Sequence, residues 1–332
     1  MSQFSEHDPL KNSELQRLVK AIRANQTFLV SGHVNPEGDS LGAAVAVAHL
    51  LKGMGKRAVC YFNDPPPEGL QFLAKGTPIT TRLPRGHFDA GIVVDAPVLE
   101  RLGRPAAVFG KLSTLISIDH HVSHNGFAHI NWVDAQVSSS GEMVYWLHQA
   151  LRRPISPAAR LGIYVAVVTD TGSFRYSNTS AKTHEVAARM VREGIEPRPV
   201  SEMIYETSSR GRIKLLADVL DTLRVSRDGR IGWVIVTRAM QKRSGAVPGD
   251  TEGFVDFARS LKGVEVAVFF REVLGQKKIK VSFRSKGRAD VNRIASVFGG
   301  GGHKAASGCE LSLPLQEAVR RVIREVRRSL RS

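Results

Sequence analysis

The sequence predicts an α/β protein: a parallel-sheet domain with flanking helices, followed by a smaller α+β domain. Three observations carry this. Short apolar runs rich in β-branched residues, Thr27 to Ser31, Gly91 to Val94 and Thr114 to Ile118, read as strands buried on both faces of a parallel sheet. Helical patterns over Ser40 to Met54 and Gly141 to Leu151 give the βαβ rhythm of a sheet covered by helices. Beyond Glu196-Pro197-Arg198-Pro199 that rhythm stops, and shorter mixed elements take over.

In chain order, the first strand leads to the helix at Ser40, which ends near Gly53 and Gly55. The segment Ala158 to Val168 is apolar enough for a strand, but Ser156-Pro157 looks like an N-cap followed by proline at the first helical position. A helix is therefore expected there, with Asp170 at its end. Further on, Val219 to Val225 and Ile231 to Val236 are predicted as strands around a turn at Arg227-Asp228-Gly229-Arg230. Strands near Val264 to Arg271 and Lys278 to Ser285, and helices near Val291 to Phe298 and Leu315 to Ser329, complete the second unit. The predicted division is a first domain at 1–195, a helical linker at 196–216 and a second domain at 217–332.

Composition bounds the function. The chain has 332 residues, 42% of them hydrophobic, enough for two cores. Its first twelve residues lack the apolar centre of a signal peptide, and no stretch approaches the ~20 apolar residues of a membrane span. A cytoplasmic protein with no membrane partner is expected. Cys60 and Cys309 are too few for a disulfide framework and are not spaced as a metal knuckle. Against 31 Asp and Glu stand 47 Lys and Arg, a formal charge of +16. The excess is densest towards the C-terminus, including Lys277, Lys278, Lys280, Arg284, Lys286, Arg288 and the arginines from Arg320 to Arg331. Such a field favours polyanionic substrates, although the arginines of the last helix also fit a solvated face.

Four polar clusters follow apolar runs: His33 with Glu37 and Asp39, then Asp95, then Asp119-His120-His121, then Asp170. In an open α/β sheet the carboxyl ends of the strands form the ligand crevice, so groups distant in sequence converge there. Oxygen and imidazole donors without thiolates suit Mn²⁺, Mg²⁺ or Fe²⁺. Two such ions ~4 Å apart activate water and stabilise charge in an in-line displacement at phosphorus. Individually the clusters are weaker: Asp39-Ser40 also fits a helix cap, Asp95 a strand-end turn, and Thr169 to Arg175 turn chemistry. In the second domain, Gly299-Gly300-Gly301-Gly302-His303 is read as a run opening a helix, where backbone N–H groups can meet an anion.

These residues, in this order over nearly the whole chain, resemble the DHH phosphoesterase superfamily with a C-terminal DHHA1 domain, in its short, stand-alone form. The resemblance implies a DHH domain carrying the metals, a DHHA1 domain holding the far end of the substrate, and a cleft between them. It implies two divalent ions, Mn²⁺ first, with Mg²⁺ or Fe²⁺ as alternatives. One would be held by His33, the acid at position 37 and Asp95, the other by Asp39, Asp95, His120 and Asp170. Asp119 and His121 would be the catalytic pair, the first orienting and the second facing the phosphate or leaving oxygen. Substrate contacts would come from Arg284, Ser285, Gly300, Gly301, Gly302, His303 and Arg175.

One position departs from the pattern: Glu37 stands where the family usually has Asp, and its extra methylene moves the carboxylate outward by ~1 Å. The implied activity is metal-dependent hydrolysis of short oligoribonucleotides to mononucleotides and of 3′-phosphoadenosine 5′-phosphate (pAp). Cyclic di-adenosine monophosphate or its linear product pApA is the nearest alternative substrate, and a non-catalytic nucleotide or RNA binder the alternative of another class. A homodimer is expected by likeness to the family.

Overall fold

The computed structural model describes residues 9–286, 289–302 and 304–331. The chain divides into two compact units, one ending at Thr207 and one beginning at Ser208.

The first unit contains α1 (Ser13–Ala24), β1 (Thr27–Ser31), α2 (Gly38–Gly53), β2 (Arg57–Tyr61), β3 (Ile79–Thr80), β4 (Ala90–Val94), α3 (Ala106–Phe109), β5 (Thr114–Asp119), β6 (Ile130–Val133), α4 (Ser140–Leu151), α5 (Pro157–Asp170), α6 (Ala181–Arg192) and α7 (Pro197–Tyr205). Its six strands are all parallel, in the order β3-β2-β1-β4-β5-β6. The three predicted strands are the central ones. Their residues alternate between two cores: Phe28, Val30, Ile92, Val94, Ile116 and Ile118 pack on one face, and Leu29, Val93 and Leu115 on the other. Both faces being covered explains the unbroken apolar runs. Strand order reverses at β1, so the carboxyl ends of β1 and β4 flank the switch point where ligands of open α/β sheets bind.

Two helices bring further groups to that crevice. Every residue of α2 from Gly38 to Ala48 is buried, as expected of a helix apolar on all sides. It lies against α5 at backbone contact distance, for a Cβ on Gly42 would sit 2.2 Å from the Gly162 carbonyl oxygen and a Cβ on Gly38 2.4 Å from Thr169 Oγ1. The pairing of 38 with 169 and 42 with 162 makes the helices antiparallel. The start of α2, with Asp39, therefore lies beside the end of α5, with Asp170. The start of α5 is as predicted: Ser156 Oγ accepts from Ala159 N, and Pro157 occupies the first turn.

His148 in α4 is 1% exposed. Burial pushes its imidazole down to about 4, the backbone groups of Arg153, Pro154 and Ala46 offsetting only part of the effect. An unfolded histidine titrates near 6.5, so the unfolded chain binds the proton first as pH falls. The contribution of neutral His148 is complete above pH ~6.5 and is lost towards pH 4, roughly 3 kcal/mol in all. Urea unfolding at pH 7 and pH 4.5 should show most of this loss of stability in wild type and a smaller one in His148→Gln; an equal loss in both proteins would refute it.

The second unit contains α8 (Arg210–Asp221), β7 (Arg224–Val225), β8 (Ile231–Val236), α9 (Arg238–Ser244), α10 (Phe254–Ser260), β9 (Val266–Glu272), β10 (Ile279–Ser285), α11 (Val291–Ser296), β11 (Gly301–Gly302), β12 (Ala306–Leu311) and α12 (Leu315–Ser329). The sheet runs β11-β12-β10-β9-β8-β7 and is antiparallel except between β8 and β9. The strand predicted at Val219 to Val225 is the end of helix α8 up to Asp221 and a strand only at Arg224 and Val225. Ser209 caps α8 by accepting from Arg212 N, and Leu215 and Val219 then enter the core at helical spacing. Only Arg224 and Val225 pair with β8.

The glycine run also departs from expectation. It opens no helix: after α11 it forms the edge strand β11, which pairs with Gly308 and Ser307 of β12. A Cβ on Gly300 would lie 2.2 Å from the Gly308 carbonyl oxygen, and Gly302 has φ 144°. Glycine is required there by strand approach and backbone conformation. Helix α12 spans the predicted Leu315 to Ser329, with Val322, Ile323 and Val326 inward and arginines outward; Arg320 and Arg321 pair with Glu317. Among the described residues, no helix is long and apolar enough to cross a membrane.

Candidate metal centre

The site begins at the strand ends. His33 follows β1, and its Nδ1 contacts the Val34 carbonyl at 2.8 Å, which turns Nε2 towards Asp95 Oδ2 at 3.3 Å. Asp95 follows β4 with φ 53°, in the left-handed region that Asp tolerates better than most residues. Its N–H donates to the Ile118 carbonyl of β5 at 3.1 Å, pinning that conformation. Asp119 ends β5, fully buried, and its Oδ1 meets His121 Nδ1 at 2.6 Å. His121 Nδ1 is also 3.7 Å from Asp95 Oδ1.

His120 joins the strands to the helices. Its Nε2 lies 3.6 Å from Asp39 Oδ2, 3.7 Å from Asp95 Oδ1 and 3.8 Å from Asp170 Oδ2. Asp39 is held by the start of α4, its two oxygens accepting from Ser140 N and Gly141 N at 2.8 Å each. A helix N-terminus suits that anion. Asp170 Oδ2 accepts from Asn178 Nδ2 at 3.0 Å.

The electrostatics are those of a crowded acidic centre. Burial by itself would raise Asp95, but hydrogen bonds and charge from His120, His33 and His121 hold it well below the usual carboxylate range. The converse holds for the imidazoles. Burial opposes their charge, yet Asp95 carries His33 up to about 9, and Asp95, Asp170 and Asp39 carry His120 up to about 10. Burial and then the Asp95 charge push Asp39 well up, and burial takes Asp170 up to about 6 despite His120. In this state, protons neutralise charges that a cation can also neutralise.

The donor set fits divalent ions. Asp95, His120 and His121 form one group of ligand atoms within 4.8 Å of one another, and Asp39, His120 and Asp170 form another. Asp119 Oδ2 is buried without a hydrogen-bond partner. The structure thus brings His33, Asp39, Asp95, Asp119, His120, His121 and Asp170 together. Glu37 belongs to neither group: it is exposed at the N-cap of α2, and its charge acts on His33 and Asp170.

Of the predicted substrate contacts, Arg175 is exposed with Nε donating to the Gly172 carbonyl at 2.6 Å. In the second unit Arg284 Nη1 donates to the Phe283 carbonyl. Ser285 is buried and its hydroxyl donates to the carbonyls of Ala289 and Lys304, tying β10 to the segment before β12. Gly301 and Gly302 are exposed in β11, while His303 lies outside the described residues. Sequence reasoning missed Ser140, Gly141 and Asn178, which hold the carboxylates of α2 and α5. Ser139-Ser140-Gly141 before an apolar helix signals a cap, but nothing in it says which carboxylate the cap receives.

A doubly covered parallel sheet with a carboxylate and imidazole cluster at its switch point is the frame of a metal-dependent hydrolase, and similarity to known proteins identifies the family. The DHH family N-terminal domain matches residues 27–167 and the DHHA1 domain matches residues 232–332. The bifunctional oligoribonuclease and PAP phosphatase NrnA of Thermus thermophilus is 31% identical over 94% of this chain and 92% of its own. That of Bacillus subtilis is 27% identical over 89% and 92%. An exopolyphosphatase-related protein from Bacteroides fragilis superposes with TM-score 0.90 at 26% identity, covering 95% of this chain and 96% of its own. RecJ of Thermus thermophilus, solved with Mn²⁺, shares the fold at TM-score 0.56 and 12% identity, with 98% of this chain covering 56% of RecJ. The chain belongs to the DHH family of phosphoesterases and carries the DHHA1 domain.

Proposed function

We propose that this phosphoesterase hydrolyses short oligoribonucleotides, releasing mononucleotides, and also pAp, in the cytoplasm, using two divalent ions, Mn²⁺ first. The observation that carries the reading is the convergence of three imidazoles on Asp95, with Asp39 and Asp170 meeting Asp95 at the same Nε2 of His120. His33, Asp95 and Glu37 would hold one ion, and Asp39, Asp95, His120 and Asp170 the other. Bound there, the ions would supply Lewis acidity at a phosphate oxygen and lower the pKa of an attacking water.

The remaining work falls to the chain's own groups. The Asp119 carboxylate holds His121 through Nδ1, which leaves Nε2 as the nitrogen that gives its proton to the departing ribose oxygen. Asp119, fully buried, fixes the orientation of His121, as a buried carboxylate does behind a general acid. Arg284, His303, Arg175 and the backbone of Gly301 and Gly302 would grip the nucleotide, with Ser285 and Gly300 fixing the strand that presents it. Agreement of 31% identity with a named oligoribonuclease and PAP phosphatase over most of both chains supports this substrate class.

A length series tests it. RNAs from dimer upward, pAp, linear pApA and cyclic di-adenosine monophosphate are incubated separately with enzyme and Mn²⁺. Rates should be highest on the shortest linear RNAs and substantial on pAp. Equal rates on dimers and long strands would remove the length preference, and preference for the cyclic compound would move the function to second-messenger turnover.

A further inference from the structure

Asn178 stands eight positions after Asp170, in the turn segment between α5 and α6. Its Nδ2 donates to three oxygens: Asp170 Oδ2 at 3.0 Å, the Asp170 carbonyl at 3.2 Å and the Ser138 carbonyl at 2.9 Å. All three are acceptors, so the amide must present nitrogen to them, and a carboxylate of the same shape would be repelled. Ser138 is itself fixed, its N–H and hydroxyl donating to Glu142 Oε2, which also accepts from Thr183 Oγ1 of α6. Two residues past Ser138, the start of α4 binds Asp39 through Ser140 and Gly141. One short segment therefore holds two of the three carboxylates that face His120, Asp39 directly and Asp170 through Asn178.

We infer that Asn178 is a positioning residue for the ion at Asp39, His120 and Asp170, setting the direction of the Asp170 carboxylate and the affinity of that site. The inference rests on the metal-dependent reading above. Outer hydrogen-bond partners of metal ligands typically change affinity or activity by about 10- to 100-fold when removed. Asn178 acts on one ion only, because none of its three bonds reaches His33 or Asp95.

The test is Mn²⁺ titration of the metal-free full chain, followed by electron paramagnetic resonance, for wild type, Asn178→Ala and the isosteric Asn178→Asp, with thermal melting of each metal-free protein as the measure of folding. Wild type should take up two ions. Both variants should bind one ion as wild type does and the other about 10- to 100-fold more weakly, with Asn178→Asp impaired even if it melts like wild type. Wild-type affinity for two ions in both variants would overturn the assignment and leave the two-ion reading intact. Failure of wild type itself to bind a pair would overturn both.

Discussion

Asp95→Asn is expected to lower kcat by about 10³-fold on short RNA while the protein stays folded. Asp95 is the carboxylate that His33, His120 and His121 all approach, within 3.3 to 3.7 Å. Removing its charge would withdraw the group proposed to be shared between the ions, whose electrostatic contribution would be several kcal/mol of barrier, and each ~1.4 kcal/mol is tenfold in rate. The fold should survive because Asn, like Asp, tolerates the left-handed φ of 53° at this position. A second readout is independent of turnover. Asp95 is what lifts His33 up to about 9 against its burial, so in the metal-free variant the His33 imidazole should titrate lower by NMR. A variant with near wild-type kcat and an unmoved His33 would show that Asp95 is not central.

Gly42→Val is expected to be the most destabilising change in α2, by about 3 kcal/mol or more, the upper range for overpacking a close contact. The new Cβ meets the Gly162 carbonyl oxygen, at 2.2 Å, and backbone cannot rotate away as a side chain can. For a unit of this size that corresponds to a fall of roughly 10 °C in Tm. Gly53→Ala, at the other end of the same helix, is the control. A Cβ there meets nothing within 4 Å, so the better helix propensity of alanine should leave Tm equal or slightly higher. Separating α2 from α5 also separates Asp39 from Asp170, so Gly42→Val should bind Mn²⁺ more weakly where it remains folded. Equal melting of Gly42→Val and wild type would refute the close contact.

The parallel sheet was legible because strands covered on both faces need no polar alternation: Phe28 to Val30 and Ile92 to Val94 show none, and Leu115 to Ile118 is interrupted only by the buried Ser117. The cluster residues were legible for a related reason: a charged group directly after such a run must lie at the sheet's carboxyl edge. What the sequence hides is contact between elements. Val219 reads equally as strand or helix until Leu215 and the Ser209 cap are seen to share a helix. The glycine run reads as a helix entry until β12 is seen beside it, because glycine serves an anion loop and a tight strand pair equally well. Glu37 stands exposed at the N-cap of α2, and nothing in its spacing says how far its carboxylate reaches towards His33 and Asp95. Asn178 gives no local signal, since its partners Ser138 and Asp170 lie far and near in sequence with no common pattern.

The most direct test of the account is release of mononucleotide from a ribodinucleotide by metal-stripped protein, before and after addition of Mn²⁺, beside Asp95→Asn. The account predicts no release without metal, turnover with Mn²⁺, and a rate lower by about 10³-fold in the variant. Turnover unaffected by metal removal, or equal in Asp95→Asn, would contradict it.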